Sequence, residues 1–472
     1  MVNPDRQIVL VTGATGYVAS RLIPRLLETG GNVRATSRNP QVVEERHPEV
    51  EAVASDMFDA GSLEPVLRGV EVAYYLVHSM EGDDFESRDR TAAKNFLSAA
   101  EAAGVRRIVY LSGLGEDEAA LSEHLRSRQE VGALLAAGEI PVVEIRCAIV
   151  IGSGSVAFDM LRYLTERLPM MIAPRWLSTH IQPVAEDDLV RYLIEAGREE
   201  GPGGVVEVGG REVLTYKDMI LRYAAARGLR RYIVGVPVLS PRLSSYWVNF
   251  ITPVPASIAR PLIEGLRNEV IVTDDSARRY PAIDPLDYDE AVAAALTRQV
   301  ELMRASVMSG APMAPGAEVA LLSDERRLPV RRKAGDAARE LHKLGGDPSW
   351  YPLRWAWWVR ARLDSLVGGV GLKWRLPADG LGEGASVDWW TVEGVDARAL
   401  FLRAEMKTPG EAWLSFRVDD ATEGSELRQA SYFRPRGLLG RLYWWLLLPF
   451  HAPIFRLMSA RLAARMGRSQ QT

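Results

Sequence analysis

A single cysteine, Cys147, in 472 residues excludes an internal disulfide and fits a reducing compartment, so the expected location is the cytoplasm. Histidine is scarce, with six in the chain. No Cys/His cluster has metal-ligand spacing, so no metal site is expected. There is no Gly-x-Ser-x-Gly turn and no Walker loop. The opening "MVNPDRQIVLVTG" has no long apolar run before a cleavage site, so no signal peptide is expected. Near the other end, Arg441 and Arg456 bracket 14 uncharged residues that include His451 and two prolines. A membrane span needs about 20 apolar residues, which excludes a transmembrane helix here. The net charge of −4 argues against a nucleic-acid partner.

What is present begins with alternation. "QIVLVTG", "NVRATSR", "EAVASDM", "VEVAYYLVHSM", "VRRIVYLSG" and "EIPVVEIRCAIVIG" read as six strands apolar on both faces. Between them lie helical patterns, among them Phe85 to Ala103, stopping at Gly104, and Ala119 to Ala137. Strand and helix in turn imply a doubly wound α/β fold, a parallel sheet covered on both sides.

The first turn, "VTGATGYVASRL", carries the sharpest signal. Gly13 permits a tight turn after the strand. Gly16 lets backbone N–H groups approach a pyrophosphate, and small Ala19 lets the helix pack close to the sheet. Gly13, Thr15, Gly16 and Tyr17 are therefore the expected pyrophosphate cradle. Strand two ends in "ATSRNP" with no acid to accept bonds from ribose hydroxyls. Ser37 and Arg38 suit a 2′-phosphate instead, which predicts NADP(H) rather than NAD(H). Asp56, after strand three, is a candidate for the adenine amino group.

"TGATGYVASRL", "SDMFD", "YYLVHSM", "AGVRRIVYLSG", "RCAIVIGSGS" and "HIQPVAEDDLVRYL" together resemble an atypical, NmrA-like member of the extended short-chain dehydrogenase/reductases, over residues 5–300. The resemblance implies a Rossmann domain and further cofactor contacts at Met57, Val77, Ala148 and Ile149. In that superfamily a serine after strand five polarises a carbonyl, and a Tyr-x-x-x-Lys pair on the next helix supplies the proton. Ser112 matches the serine. His124 stands at the tyrosine and Arg128 at the lysine. The i, i+4 spacing keeps both on one helix face, and the chemistry changes. Histidine can act as general acid, whereas arginine cannot deliver a proton. His78, after strand four, is a second candidate for the acid. Three readings stay open: a reductase of a lipophilic carbonyl, enone or quinone; an NADP(H)-binding regulator or assembly scaffold without turnover; and polar residues on an exposed helix with no chemistry.

Residues 153–300 mix helices with short strands and many Met, Trp, Phe and Pro, as expected of a region covering an apolar substrate. "SGAPMAPGAEVALLSDERR" reads as a linker, giving domains at 1–305 and 329–472 around residues 306–328. The second domain has a Trp-rich helix, "YPLRWAWWVRARLDSLV", then antiparallel strands and a long terminal helix. That order resembles the START/polyketide-cyclase helix-grip fold, which implies a lipophilic ligand. From Arg331 onward there are 22 Lys and Arg against 15 Asp and Glu, and from Leu427 eight arginines and no acid. The terminal helix is expected to fill its own domain's cavity with Trp and Leu, with peripheral membrane contact as the other possibility. The oligomeric state is left open.

Overall fold

The computed structural model describes residues 7–468 apart from 79–83, 116–121, 174, 236–250, 267, 345–351, 367 and 370–380. It divides into two units, Met1–Gln299 with Ala314–Ala317, and Val300–Met313 with Glu318–Thr472.

The first unit runs β1 (Ile8–Thr12), α1 (Tyr17–Glu28), β2 (Asn32–Ser37), α2 (Pro40–Arg46), β3 (Glu51–Ala54), α3 (Ala60–Leu67), β4 (Val70–Tyr75), α4 (Phe85–Ala103), β5 (Arg107–Gly113), α5 (Glu123–Ala136) and β6 (Val142–Cys147). It continues with α6 (Val156–Arg167), α7 (Glu186–Arg198), β7 (Gly204–Val208), α8 (Tyr216–Ala226) and α9 (Ala256–Gly265). The strands form one parallel sheet in the order β7-β6-β5-β4-β1-β2-β3. Strand residues alternate between two cores. Leu10, Ala73, Ile108 and Tyr110 pack with Leu63, Phe96 and Leu135 of α3, α4 and α5. Their neighbours Val11, Tyr74 and Val109 pack with Leu22 of α1 and Leu189 of α7. Helices on both faces explain why these strands are apolar throughout. Order reverses between β1 and β4, and a crevice opens there at the carboxyl ends of the strands.

Two boundaries differ from expectation. The sixth apolar run breaks after Cys147. Val150–Ile151 leaves the sheet to pair with Val184–Ala185, so Ala148 and Ile149 sit in the break. Helix α5 begins at Glu123, where the Ser122 side chain accepts a hydrogen bond from Leu125 N. Most of the turn expected before it lies outside the described residues.

Helix α10 (Tyr288–Ser309) contains the division between the units. The second unit has β8 (Leu322–Val330), α11 (Arg354–Leu366), β9 (Ser386–Val387), β10 (Trp390–Val395), β11 (Ala399–Ala404), β12 (Gly410–Asp420), β13 (Ser425–Pro435) and α12 (Gly437–Gly467). Its sheet is antiparallel, ordered β8-β13-β12-β11-β10-β9. The stretch expected as linker, 306–328, holds the end of α10 and most of β8. β8 is an edge strand with exposed charges, so it lacks the apolar alternation of an ordinary strand. It tolerates Pro329 because an edge N–H needs no partner. The terminal helix also departs from expectation. Phe455, Met458, Leu462 and Met466 pack on Trp390, Phe416 and Leu427, whereas Leu439, Trp445 and Leu446 of its first half are exposed.

One buried hydroxyl ties the crevice together. Thr12 Oγ1 donates to Tyr74 O (3.1 Å) and accepts from Leu76 N (2.9 Å). Thr12→Val keeps the shape but removes both hydrogen bonds and takes from the part-buried Leu76 N–H its side-chain acceptor, costing about 1–3 kcal/mol. The urea midpoint is expected to fall with the slope unchanged.

Candidate functional site

The loop after β1 approaches the next strand closely. Gly13 has φ +61°, and a Cβ there would stand 3.2 Å from Leu76 O. Gly16 caps α1 without a side-chain hydrogen bond, so the N–H groups of the first turn point outward uncapped. Thr15 and Gly16 are exposed, and Ala19 is buried against the sheet. Tyr17 is differently employed than expected. Its hydroxyl donates to Glu186, which also pairs with Arg21 Nε at 3.0 Å, so Tyr17 offers an anion only its backbone.

At the end of β2, Ser37 Oγ accepts from Asn39 N (3.1 Å). Arg38 is exposed and makes no ion pair among the described residues. Asp56 Oδ1 accepts from Phe58 N (3.0 Å), and Met57 is buried with its carbonyl held by Asn95. These residues stand at or just after the carboxyl ends of β2 and β3.

The β4–β6 side forms a cleft of about 320 Å³. Val77 and His78 enter it after β4, Ser112 from β5, Ala148 and Ile149 after β6, and His124 and Arg128 from α5. Gly13, Gly16 and Tyr17 line the same cleft, and Leu262 and Leu266 close one wall. Thr15, Ser37, Arg38, Asp56 and Met57 do not line it. The sheet order sets β2 and β3 on the far side of β1 from the cleft, the spacing an extended dinucleotide requires. Ser112 is 1% exposed, and its Oγ has no hydrogen-bond partner of ordinary geometry among the described residues. The His78 and His124 rings lie 6.3 Å apart. Arg128 has no ion pair among the described residues, and its Nε is buried without a hydrogen bond.

Comparison with known proteins agrees with this geometry. A family model described as NAD(P)H-binding matches residues 13–139. The first unit is an NAD(P)H-binding Rossmann domain. A second model, for a protein of unknown function (DUF2867), matches residues 317–458. Cinnamoyl-CoA reductase 1 of Petunia hybrida is 36% identical over 126 residues, 24% of this chain and 38% of the relative. The chain thus spans under two fifths of that relative's length. Ceramide reductase of Caulobacter vibrioides is 27% identical over 247 residues, 50% of this chain and 76% of the relative. The Escherichia coli NADPH-dependent quinone oxidoreductase in complex with NADPH shares the fold, with TM-score 0.50 and 20% identity, over 61% of this chain and 99% of that one.

Among the described residues lining the NAD(P)H-binding domain's cleft, the fixed charge is one-sided. Burial, then the Arg128 guanidinium, push His124 down to about 3. The atoms crowding its ring, then Arg128 and His124, hold His78 well below the usual histidine range, although one side of the residue is exposed to solvent. Both imidazoles are neutral near pH 7. Burial pushes the Cys147 thiol up to about 12, which leaves it unreactive.

Two features escaped the sequence. Glu186 lies within "HIQPVAEDDLVRYL", but nothing local pairs it with Arg21 and Tyr17. A Cβ on Gly152 would overlap both the Tyr17 hydroxyl and the Glu186 carboxylate, so that approach requires glycine. Tyr216, at the start of α8, lines the cleft, and its hydroxyl makes no hydrogen bond among the described residues. Only the fold brings it near α5.

The depressed histidines set an acid response. An unfolded histidine protonates near pH 6.5, and folded His124 does so only near 3. The stability His124 confers is complete above about pH 6.5 and declines as pH falls below it. Between pH 7.5 and 5, above most carboxylate titrations, His124→Gln is expected to lose less stability than the wild type in parallel urea titrations.

Proposed function

We propose that this chain is an NmrA-like, atypical short-chain-type reductase that uses NADPH to reduce a lipophilic enone, quinone or carbonyl. The observation carrying the proposal is the convergence of Ser112, His124 and Arg128 on the cleft that also contains the Gly13–Gly16 loop. Exposed, ion-pair-free Arg38 beside Ser37 supports the 2′-phosphate and hence NADP(H). The glycine cradle and uncapped helix start suit the pyrophosphate.

Bound there, the reduced nicotinamide supplies a hydride. The Ser112 hydroxyl donates a hydrogen bond to the acceptor oxygen, and neutral His124 donates a second through its ring N–H. Arg128 offsets the negative charge that develops on that oxygen. A neutral imidazole is a poor proton donor near pH 7, so water protonates the reduced product. An isolated ketone would become a strongly basic alkoxide under these conditions. An enone or quinone becomes a delocalised anion that a fixed cation and two hydrogen bonds can hold. His124 therefore serves as a hydrogen-bond donor rather than the acid its place in the superfamily pattern suggests. Tyr216 offers another O–H group to the same cleft. The element order of the second unit supports a START-like, helix-grip reading, with a role as carrier of the lipophilic substrate.

The rival reading, an NADP(H)-binding regulator without turnover, draws on the replacement of both Tyr and Lys by His124 and Arg128. NADPH oxidation against a panel of quinones, enones and aromatic ketones separates the two. Turnover is expected, with quinones and enones ahead of isolated ketones. Tight NADPH binding without consumption by any acceptor would give the regulator reading precedence.

Two substitutions probe opposite ends of the crevice. Arg38→Ala is expected to weaken NADPH by about 1.5–3 kcal/mol and NADH hardly at all. Equal loss for both cofactors in a binding titration would remove the NADP(H) assignment. Arg128→Met is expected to lower kcat by roughly a hundredfold, the scale of losing one group that stabilises developing charge. The NADPH Kd should stay unchanged. A Kd that rises in step with the loss of kcat would make Arg128 a cofactor contact instead.

A further inference from the structure

Helix α12 changes character along its length. Its second half buries Phe455, Met458, Leu462 and Met466 in the core of the second unit. In its first half Leu439 is 76% exposed, Leu446 73% and Phe450 65%, with Leu442 and Trp445 exposed beside them. Positions 439, 442, 446 and 450 fall on one stripe of a helix. Helix α11 touches α12 where Arg360 Nη2 donates to the Tyr443 hydroxyl at 3.4 Å. It too leaves tryptophans outside, Trp355 and Trp358. Scattered exposed apolar residues need no explanation, but a contiguous aromatic and aliphatic stripe does.

The charged residues of α12 itself are all basic. Exposed Arg436 precedes the stripe, and exposed Arg456 and Arg461 follow it. From Leu427 to the end of the chain there is no acidic residue. On α11, Arg362 lies 5.0 Å from the centre of the Trp358 ring. Leucines seat at the acyl boundary of a bilayer, tryptophans at headgroup depth, and arginines against lipid phosphates. No described helix is long and apolar enough to cross a membrane, so this one would lie in the plane of the interface. We infer that the first half of α12, with α11, docks this protein on a bilayer surface containing anionic lipid. The inference stands independently of the proposed reaction.

Flotation of the full chain with vesicles tests it. Vesicles of phosphatidylglycerol and phosphatidylcholine at one to three are expected to carry the protein upward. Phosphatidylcholine alone should carry much less, and 0.5 M salt should weaken the first. Leu442→Glu with Leu446→Glu is expected to reduce partitioning more than about tenfold. Arg436→Gln with Arg456→Gln is expected to reduce it by roughly fivefold per arginine on anionic vesicles only. All four side chains are exposed, so thermal melts should match the wild type. Absence of flotation on anionic vesicles overturns the inference, as does flotation that the leucine pair leaves unchanged. A lipid-free dimer that the same leucine pair dissolves would assign the stripe to a second copy of this chain, and overturns it as well.

Discussion

The whole crevice depends on how closely the backbone after β1 approaches the end of β4. Gly13 can take its left-handed φ and lie against Leu76 because it has no Cβ. Thr12 fixes the same approach from inside the sheet by bridging Tyr74 O and Leu76 N. The loop after β1 and the Val77–His78 segment are thus set by one short stretch of hydrogen bonding. The fold puts its ligand-binding geometry at the single point where strand order reverses, and the sequence spends a threonine and a glycine to make that point tight.

Arg128 organises the electrostatics of the cleft in the same way. It has no anionic partner among the described residues. It sits close enough to both histidines to help keep them neutral. A carboxylate in this wall would have quenched the cation and raised both imidazoles. Among the described lining residues there is none, so these give the cleft net positive charge together with neutral donors. That combination favours a species whose charge becomes more negative during the reaction. In the proposed reaction, His124 and Arg128 at the places of a tyrosine and a lysine would meet negative charge by electrostatic holding rather than by proton delivery.

How much of this the sequence discloses follows from the range of each interaction. The Gly13–Gly16 turn, the strand ends at Ser37 and Asp56, and the His124/Arg128 spacing are local patterns, and all three are legible before folding. The Tyr17–Glu186–Arg21 cluster and the entry of Tyr216 into the cleft join residues far apart in sequence, and no periodicity announces them. The break after Cys147 is intermediate. An apolar run of that length reads as one strand, and only pairing with Val184–Ala185 shows that it leaves the sheet.

The second unit shows why burial is harder to read than periodicity. β8 is a strand because its nine residues pair with β13, yet four consecutive side chains in it are charged. Glu325 pairs with Arg428 across the ladder (3.0 Å) and with Arg327 on its own strand (2.9 Å). Such pairs hold an exposed edge and repel a foreign strand, but in sequence they look like a linker. Helix α12 is the opposite case. Leucines and aromatics recur at helical spacing in both halves, and the pattern alone sends all of them to the core. The sheet buries Phe455, Met458, Leu462 and Met466, and in the first half it takes only Tyr443 and Trp444, against Phe433 of β13, among the described contacts. The half from Leu438 to Phe450 keeps its apolar stripe outside, where water is a poor solvent for it and the neighbouring arginines are well placed for anions.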